Sequence, residues 1–292
     1  MNINWYPGHM AKTKKQIMED LKLIDVVIQV IDSRIPKSSQ NPDILKMIKG
    51  KKAIIALNKN DLSDNNQNKK WCTYFKNNGM TPVLINCSTG EGIKELKNAI
   101  KEIMNEEIKI CAEKGRIGRC IKCMIVGIPN AGKSSLINKL ANKNSLEVGN
   151  RPGVTKQKKW IRVEDNIELL DTPGVLWPKF EKEEIALNLA YTGAIKDEVL
   201  DKEEVAFYLV KYLISNNIDS LNLRYNLTQE KIHNIISNAC DENIGVYEVM
   251  MEIGKKRGAL VSGGNVDGGK TADIILEDFR TGKLGKITLE KI

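Results

Sequence analysis

A short segment near the middle of the chain has the residue types and spacing of a phosphate-binding loop. Residues Gly127–Ser134 match the pattern G-x-x-x-x-G-K-[ST] at every fixed position. In such a loop, backbone N–H groups and the N-terminus of the following helix bind phosphate oxygens. Lys133 would reach the β- and γ-phosphates of a nucleotide, and the Ser134 hydroxyl would ligate Mg²⁺. The predicted phosphate-side residues are Asn130, Ala131, Gly132, Lys133, Ser134 and Ser135.

A second motif, Asn58-Lys59-Asn60-Asp61, has the N-K-x-D spacing that can recognise guanine. The Asp61 carboxylate can accept hydrogen bonds from both N1–H and N2–H₂ of guanine. Adenine presents an unprotonated N1 there, and buried polar groups left unpaired make such discrimination strong. We expect the Asn58 side chain to bridge neighbouring loops and the Lys59 stem to cover the plane of the base.

A polar turn, Cys87-Ser88-Thr89-Gly90, follows the next predicted strand. The backbone N–H groups of such a turn can be offered to guanine O6. Many turns between a strand and a helix share this composition, so the interpretation depends on the two motifs above. We predict that Ser88 and Thr89 complete the guanine side of the site.

Two more segments follow the phosphate loop. Thr155, in the basic segment Gly149–Trp160, is placed to ligate Mg²⁺ and to sense the γ-phosphate, as in a loop that orders only with triphosphate. A D-T-P-G sequence starts at Asp171. Asp171 would hold Mg²⁺ through water, and the Gly174 N–H would meet the γ-phosphate.

The order of these motifs is circularly permuted. A regular small GTPase has its phosphate loop first and its N-K-x-D motif last, whereas here N-K-x-D precedes the phosphate loop. Val175, Leu176 and Trp177 stand where a Ras-like protein places the Gln that orients the attacking water. We therefore expect slow intrinsic hydrolysis, or a replacement group supplied by the chain, a monovalent cation or a partner.

The elements that must position these motifs alternate between strands and helices. Apolar, β-branched runs at Val26–Ile31, Ala53–Leu57 and Ile121–Val126 are typical of strands buried in a parallel sheet. Further strands are predicted at Pro82–Asn86 and, as a hairpin, at Trp160–Val163 and Ile167–Leu170; helices are predicted at Pro42–Lys49, Asn68–Asn77, Ser134–Ala141 and, as one long element, Gly92 to about Lys114. The predicted fold is α/β, with a Rossmann-like P-loop GTPase domain over residues 1–177.

The chain becomes helical in pattern from about Pro178, which predicts a small all-α domain over residues 178–292. Its predicted helices are Glu183–Leu189, Lys202–Ser215, Thr228–Asn238, Tyr247–Lys255 and Thr271–Arg280. Gly264–Thr271 formally fits the phosphate-loop pattern a second time. We reject it as a nucleotide site because no buried strand precedes it.

Charge is unevenly distributed over the 292 residues. The net charge is +8, but residues 1–177 carry +12 and residues 178–292 carry −4. The basic half indicates an anionic partner such as RNA, although a Lys-rich solvated surface fits the composition equally well. The sequence has no apolar stretch of the roughly 20 residues that a membrane span needs, and no secretory signal at its N-terminus. We expect a cytoplasmic monomer, with Cys120 and Cys123 as small core or boundary residues.

With these motifs in permuted order, the chain resembles the ribosome biogenesis GTPase A family, the YlqF/YawG circularly permuted GTPases. The resemblance runs from Trp5–Met10 to Leu284–Glu290. It implies binding of GTP and GDP with Mg²⁺, and a helical RNA-binding domain that follows the GTPase domain. It also implies action late in maturation of the large ribosomal subunit, with the precursor particle and its rRNA as partners and the particle as the stimulus for hydrolysis.

The same resemblance assigns two further roles. His9 would supply the catalytic function of the missing Gln, and Asn130 would ligate a K⁺ ion near the β–γ bridge. The negative charge of residues 178–292 conflicts with rRNA binding unless a local basic face, with Lys255, Lys256 and Arg257 as candidates, makes the contact. A GTP-binding regulatory sensor without a ribosomal partner is the alternative function, and ribosome-stimulated turnover would discriminate between the two.

Overall fold

A computed structural model describes residues 8–116, 118–141, 147–148, 160–164, 166–170 and 182–292. These residues form two compact units. One contains the described residues up to 170 together with residues 288–292, and the other contains residues 182–287. The predicted domain boundary at 177/178 lies outside the described residues. In the described part of the chain, no helix is both long and apolar enough to cross a bilayer.

The first unit is built from seven strands and six helices among its described residues. In chain order they are α1 (Gly8–Leu21), β1 (Val26–Asp32), α2 (Pro42–Met47), β2 (Lys52–Asn58), α3 (Asn65–Asn77), β3 (Thr81–Leu84), α4 (Ile93–Ile103), α5 (Asn105–Glu113), β4 (Ile121–Gly127), α6 (Lys133–Leu140), β5 (Glu147–Val148), β6 (Trp160–Glu164) and β7 (Ile167–Leu170). The α/β fold class predicted from sequence is confirmed.

One sheet with the strand order β3-β2-β1-β4-β7-β6-β5 runs through this unit. The first five of these strands pair in parallel. The other two pair antiparallel, so the predicted hairpin of β6 and β7 is confirmed. The central strand β1 is buried along all seven residues, as its apolar run predicts.

Helices cover this sheet through apolar side chains. Ile17 and Leu21 of α1 belong to one buried cluster with Met124 and Val126 of β4. In a second cluster, Trp71 and Phe75 of α3 pack with Ile31, Ile55 and Leu57. These clusters fix the ends of the central strands, where the motifs lie.

The prediction of one long helix from Gly92 to about Lys114 is wrong. The segment forms α4 and α5, which are separated at Met104. Met104 has φ −106° and ψ 1°, outside the helical range, and it is only 2% exposed. The break separates α4, which buries one face, from α5, which has no buried residue and continues at the surface.

The second unit is helical. Its elements are α7 (Glu183–Tyr191), a 3₁₀ turn (Asp197–Val199), α8 (Lys202–Asn216), α9 (Ile218–Tyr225), α10 (Gln229–Asn238), α11 (Glu242–Lys256) and α12 (Gly268–Arg280). Sequence analysis missed α9 and started α11 five residues late. Val205, Leu209 and Leu213 of α8 are fully buried, as their helical spacing predicts.

Candidate functional site

Three of the sequence motifs lie at one edge of the sheet. N-K-x-D begins at the end of β2, the Cys87–Gly90 turn follows β3, and the phosphate loop starts at the end of β4. Carboxyl ends of parallel strands lie on the same side of a sheet, where α/β proteins bind ligands. The permuted chain order therefore still assembles one site.

The phosphate loop has a conformation that its residue types permit. Asn130 and Gly132 have φ of 57° and 100°, and α6 begins directly afterwards at Lys133. Gly132 is the N-cap and has no side chain to cover the first N–H groups of α6, which are the groups that bind anions. Lys133 is 8% exposed and its ammonium donates to the Ile128 carbonyl at 2.8 Å, while Ser134 and Ser135 are exposed.

Asn58 joins the guanine side of the site to the phosphate side. Its Nδ2 donates to the Ala131 carbonyl at 2.8 Å. Its Oδ1 accepts from the Cys87 N–H at 3.1 Å. The side chain is buried, so both bonds are shielded from water. The predicted bridging role of Asn58 thus agrees with the contacts observed.

Gly132 is required by this same contact. A Cβ added to Gly132 would lie 2.1 Å from Asn58 Nδ2, and Gly127 is similarly restricted because its Cβ would lie 2.4 Å from the Val30 carbonyl oxygen. Glycine at both positions permits the close approach of the loop to its neighbours. The two motif glycines therefore also serve packing.

Lys59 and Asp61 are held in the turn that follows β2. Lys59 is not glycine yet has φ 60°, a conformation that surrounding contacts must stabilise. Its ammonium lies 3.0 Å from Asp32 Oδ2. Asp61 is exposed, which leaves its carboxylate accessible to a base.

The Cys87–Gly90 turn is shaped by Asn86. The N–H groups of Ser88 and Thr89 donate to Asn86 Oδ1 at 2.8 and 3.2 Å. These are the donors predicted to meet guanine O6, and in this structure they have an internal acceptor. Burial raises the pKa of Cys87 to about 12, so its thiol is neutral at physiological pH.

Asp32 and Arg34 form a buried ion pair that sequence analysis did not assign to the site. Asp32 ends β1, and its Oδ1 accepts from Arg34 Nε at 2.9 Å while Oδ2 accepts from Arg34 Nη2 at 2.8 Å. Both residues are 1% exposed. Burial alone would raise the pKa of Asp32, but Arg34 and Lys59 together hold it far below its ordinary value. A carboxylate at the end of a largely apolar strand was the signal available in the sequence.

The structure leaves part of the predicted site undescribed. Thr155, Asp171 and Gly174 are outside the described residues, and of His9 only its position in the first turn of α1 is described. Ser134 is placed at the second residue of α6, beside the anion-binding end of that helix. The predicted Mg²⁺ ligands are all oxygen donors, which suits this cation. The phosphate loop itself fits a nucleotide, since its glycines permit the curled backbone and α6 begins directly after it.

Comparisons with known proteins identify relatives of this chain. A family model described as "50S ribosome-binding GTPase" matches residues 122–242. The chain is 46% identical to Ribosome biogenesis GTPase A of Bacillus cereus, over 99% of this chain and 94% of the relative. It is 35% identical to the mouse Mitochondrial ribosome-associated GTPase 1, over 98% of this chain and 90% of the relative.

A solved structure is also similar to this chain. The GNP-bound YlqF from Thermotoga maritima matches with a TM-score of 0.64 and 25% identity, over 96% of this chain and 98% of that one. The parallel sheet and these relatives agree on a GTPase fold. The chain therefore belongs to the ribosome biogenesis GTPase A family, and its α/β unit is a circularly permuted GTPase domain that binds guanine nucleotide and hydrolyses GTP.

Proposed function

We propose that this GTPase is an assembly factor for late maturation of the large ribosomal subunit, and that the maturing particle stimulates its hydrolysis of GTP. The observation that carries the nucleotide dependence is the Asn58 side chain, which joins the phosphate loop to the guanine-side turn through two buried hydrogen bonds. Relatives named for ribosome biogenesis and ribosome association supply the partner class.

We assign the nucleotide chemistry to residues of the permuted motifs. Lys133 would neutralise the β- and γ-phosphates, while Ser134, Thr155 and Asp171 would hold Mg²⁺. The Gly174 N–H would contact the γ-phosphate, so the Thr155 and Gly174 segments would order with GTP and relax after hydrolysis. Asp61, Asn58 and Lys59, with Ser88 and Thr89, would select guanine. Asn130 would ligate K⁺, whose charge would stabilise the β–γ bridge oxygen.

His9 is proposed to supply the group that the apolar Val175–Trp177 segment lacks. It lies in the first turn of α1. Ile17 and Leu21 of α1 pack with Met124 and Val126 of β4, the strand that leads into the phosphate loop. The helix that carries His9 is therefore anchored to the strand that carries the phosphate site.

Residues 178–292 are proposed to bind rRNA through a local basic face. Lys255, Lys256 and Arg257 are exposed at the end of α11, and Lys270 is exposed near the start of α12. Phosphate binding by such a cluster releases counterions and is strongly dependent on salt. A local cluster of this kind allows RNA binding even though the region as a whole carries −4. The protein is proposed to act as a monomer in the cytoplasm.

The test is nucleotide-dependent association with purified ribosomal particles. We expect the protein to co-sediment with large-subunit precursors in a non-hydrolysable GTP analogue, more weakly with GDP, and not with small subunits. Lys255→Glu/Arg257→Glu should weaken association and make it less dependent on salt, by about one unit of the log–log slope for each phosphate that is no longer bound. The matched control is Lys182→Glu/Lys196→Glu, which reverses two exposed charges elsewhere in the helical unit.

Equal binding with the GTP analogue and with GDP would contradict the proposed cycle. Loss of binding in both double variants would indicate general charge attraction and remove the local basic face from the account. No association with any ribosomal particle would favour the regulatory sensor.

A further inference from the structure

The segment Thr288–Ile292, called here the return segment, follows the helical unit in sequence but belongs to the nucleotide-binding unit. Sequence analysis had placed it with the helical domain. Thr288 and Leu289 are 2% and 6% exposed. The return segment is therefore a structural part of the nucleotide-binding unit, although it lies more than a hundred residues beyond that unit's other described residues in sequence.

Glu290 is the main anchor of the return segment. Its carboxylate accepts hydrogen bonds from the Ser38 N–H, at 2.9 Å, and from the Ser38 hydroxyl and the Lys37 N–H. Its carbonyl accepts from Trp71 Nε1 of α3 at 2.8 Å. One residue thus joins α3 to the loop that follows β1.

The neighbouring residues extend this attachment. Leu289 N–H donates to the Arg34 carbonyl at 2.9 Å. The Thr288 hydroxyl accepts from the N–H of Asp64, the N-cap residue of α3, at 3.0 Å. Asp64 lies three residues beyond Asp61, so the return segment touches both loops that border the guanine side.

The loop between β1 and α2 connects the return segment to the nucleotide site. Within it, Arg34 binds Asp32 through three donors, which are its N–H, Nε and Nη2. Ser39 Oγ accepts from the Asp32 N–H at 3.1 Å. Asp32 in turn lies 3.0 Å from the Lys59 ammonium of N-K-x-D. A continuous series of contacts therefore leads from Glu290 to Lys59.

We propose that the return segment is a positioning element of the guanine-nucleotide site. Glu290 holds the loop after β1 in place, and this loop holds Asp32. Asp32 then positions the Lys59 side chain. Lys59 needs such support because its backbone is in the left-handed region. Asp32 and Glu290 are positioning residues, since neither is assigned a contact with nucleotide. The inference rests on guanine-nucleotide binding and needs no ribosomal partner.

The experiment is a double-mutant cycle on GDP affinity in the full-length chain, measured by calorimetry alongside thermal unfolding. Glu290→Ala should raise the Kd for GDP about five-fold, at the lower end of typical coupling between sites. In a Lys59→Met background the same substitution should leave Kd unchanged, because the side chain through which Glu290 acts is gone. Glu102→Ala, which removes an exposed carboxylate from α4, is the matched control and should leave Kd unchanged in both backgrounds.

Asp32→Asn should raise the Kd for GDP more than Glu290→Ala does. If Asp32→Asn does not fold, the double-mutant cycle of Glu290 and Lys59 still tests the proposal. An unaltered Kd in Glu290→Ala would overturn the inference, even if the melting temperature falls. An equal rise of Kd in the wild-type and Lys59→Met backgrounds would also overturn it, because the segment would then act by another route. Failure of the wild type to bind GDP would overturn the nucleotide site itself, whereas failure of the particle experiment above would leave this cycle interpretable.

Discussion

Among the described residues, each unit contains a buried carboxylate that pairs with an arginine and a lysine. In the nucleotide-binding unit Asp32 pairs with Arg34 and Lys59. In the helical unit Asp278 pairs with Arg224, at 2.8 Å, and with Lys283 at 3.5 Å. The carboxylate side chains are 2% and 3% exposed. The two clusters have the same chemistry but different surroundings.

The difference lies in the partners. Arg34 is two residues from Asp32 and 1% exposed, and Lys59 belongs to the guanine motif. Arg224 comes from α9, 54 residues before Asp278 of α12, and is 22% exposed, while Lys283 is 50% exposed. The first cluster therefore fixes a turn of the site, whereas the second fastens two helices. We infer that breaking the first should alter binding and stability, and breaking the second stability alone.

The largest effect is expected from Asp32→Asn. Removing this charge leaves the Arg34 guanidinium buried without its counterion, which typically costs about 3–5 kcal/mol of unfolding free energy. GDP affinity should fall as well, because Lys59 loses its anchor. Urea denaturation and calorimetric titration with GDP measure the two effects; a variant with wild-type stability would show that the pair is not buried as described.

Gly132→Ala tests the phosphate side of the same unit. Its Cβ would overlap Asn58 Nδ2, and a left-handed residue other than glycine costs about 1–3 kcal/mol. GDP affinity should fall because the bond between Asn58 and Ala131 cannot form. Gly263→Ala is the control, since Gly263 has a similar φ of +95° with nothing within 4 Å of the added Cβ. Equal GDP affinity in the two variants would refute the bridging role of Asn58.

Asp278→Asn is expected to have a smaller effect than Asp32→Asn. Arg224 can regain water, so we expect a loss of about 1.5–3 kcal/mol, in the range for hydrogen bonds to charged groups. GDP affinity should be unchanged. Denaturation and titration under the conditions used for Asp32→Asn make the comparison direct, and a fall in GDP affinity would contradict the division of roles.

The smallest effect is a pH dependence of stability. Burial raises the pKa of Asp278, but Arg224 and Lys283 outweigh it, so the net pKa is lowered, as it is for Asp32. The stabilisation by such a carboxylate is complete above its ordinary pKa of 3.8 and is lost as the pH falls through the lower folded value. Unfolding free energy should therefore decline below about pH 4–5. The decline should be shallower in Asp278→Asn than in wild type; parallel curves from denaturation at a series of pH values would contradict this.

Much of this fold follows from local sequence. Largely apolar runs predict β1, β2 and β4 as buried parallel strands, and the motifs at the ends of β2 and β4 predict which loops meet. The break at Met104 was not predictable, because the helical pattern of the sequence continues through it. The return segment was not predictable either, since Glu290 meets Lys37 across 253 residues and depends on tertiary structure. The opposite charges of Asp32 and Arg34 were visible in the sequence, but their burial and the contact of Asp32 with Lys59 were not.

The central proposal is that the large ribosomal particle activates a GTPase whose own motifs lack a water-orienting Gln. The most direct measurement is GTP turnover in potassium and in sodium buffer, with and without purified large-subunit precursors, for wild type and His9→Ala. The account predicts strong stimulation by these particles, higher in potassium, that His9→Ala abolishes while GTP affinity is retained. Stimulation that survives in His9→Ala would remove His9 from the chemistry. Turnover that no ribosomal particle changes would contradict the central proposal.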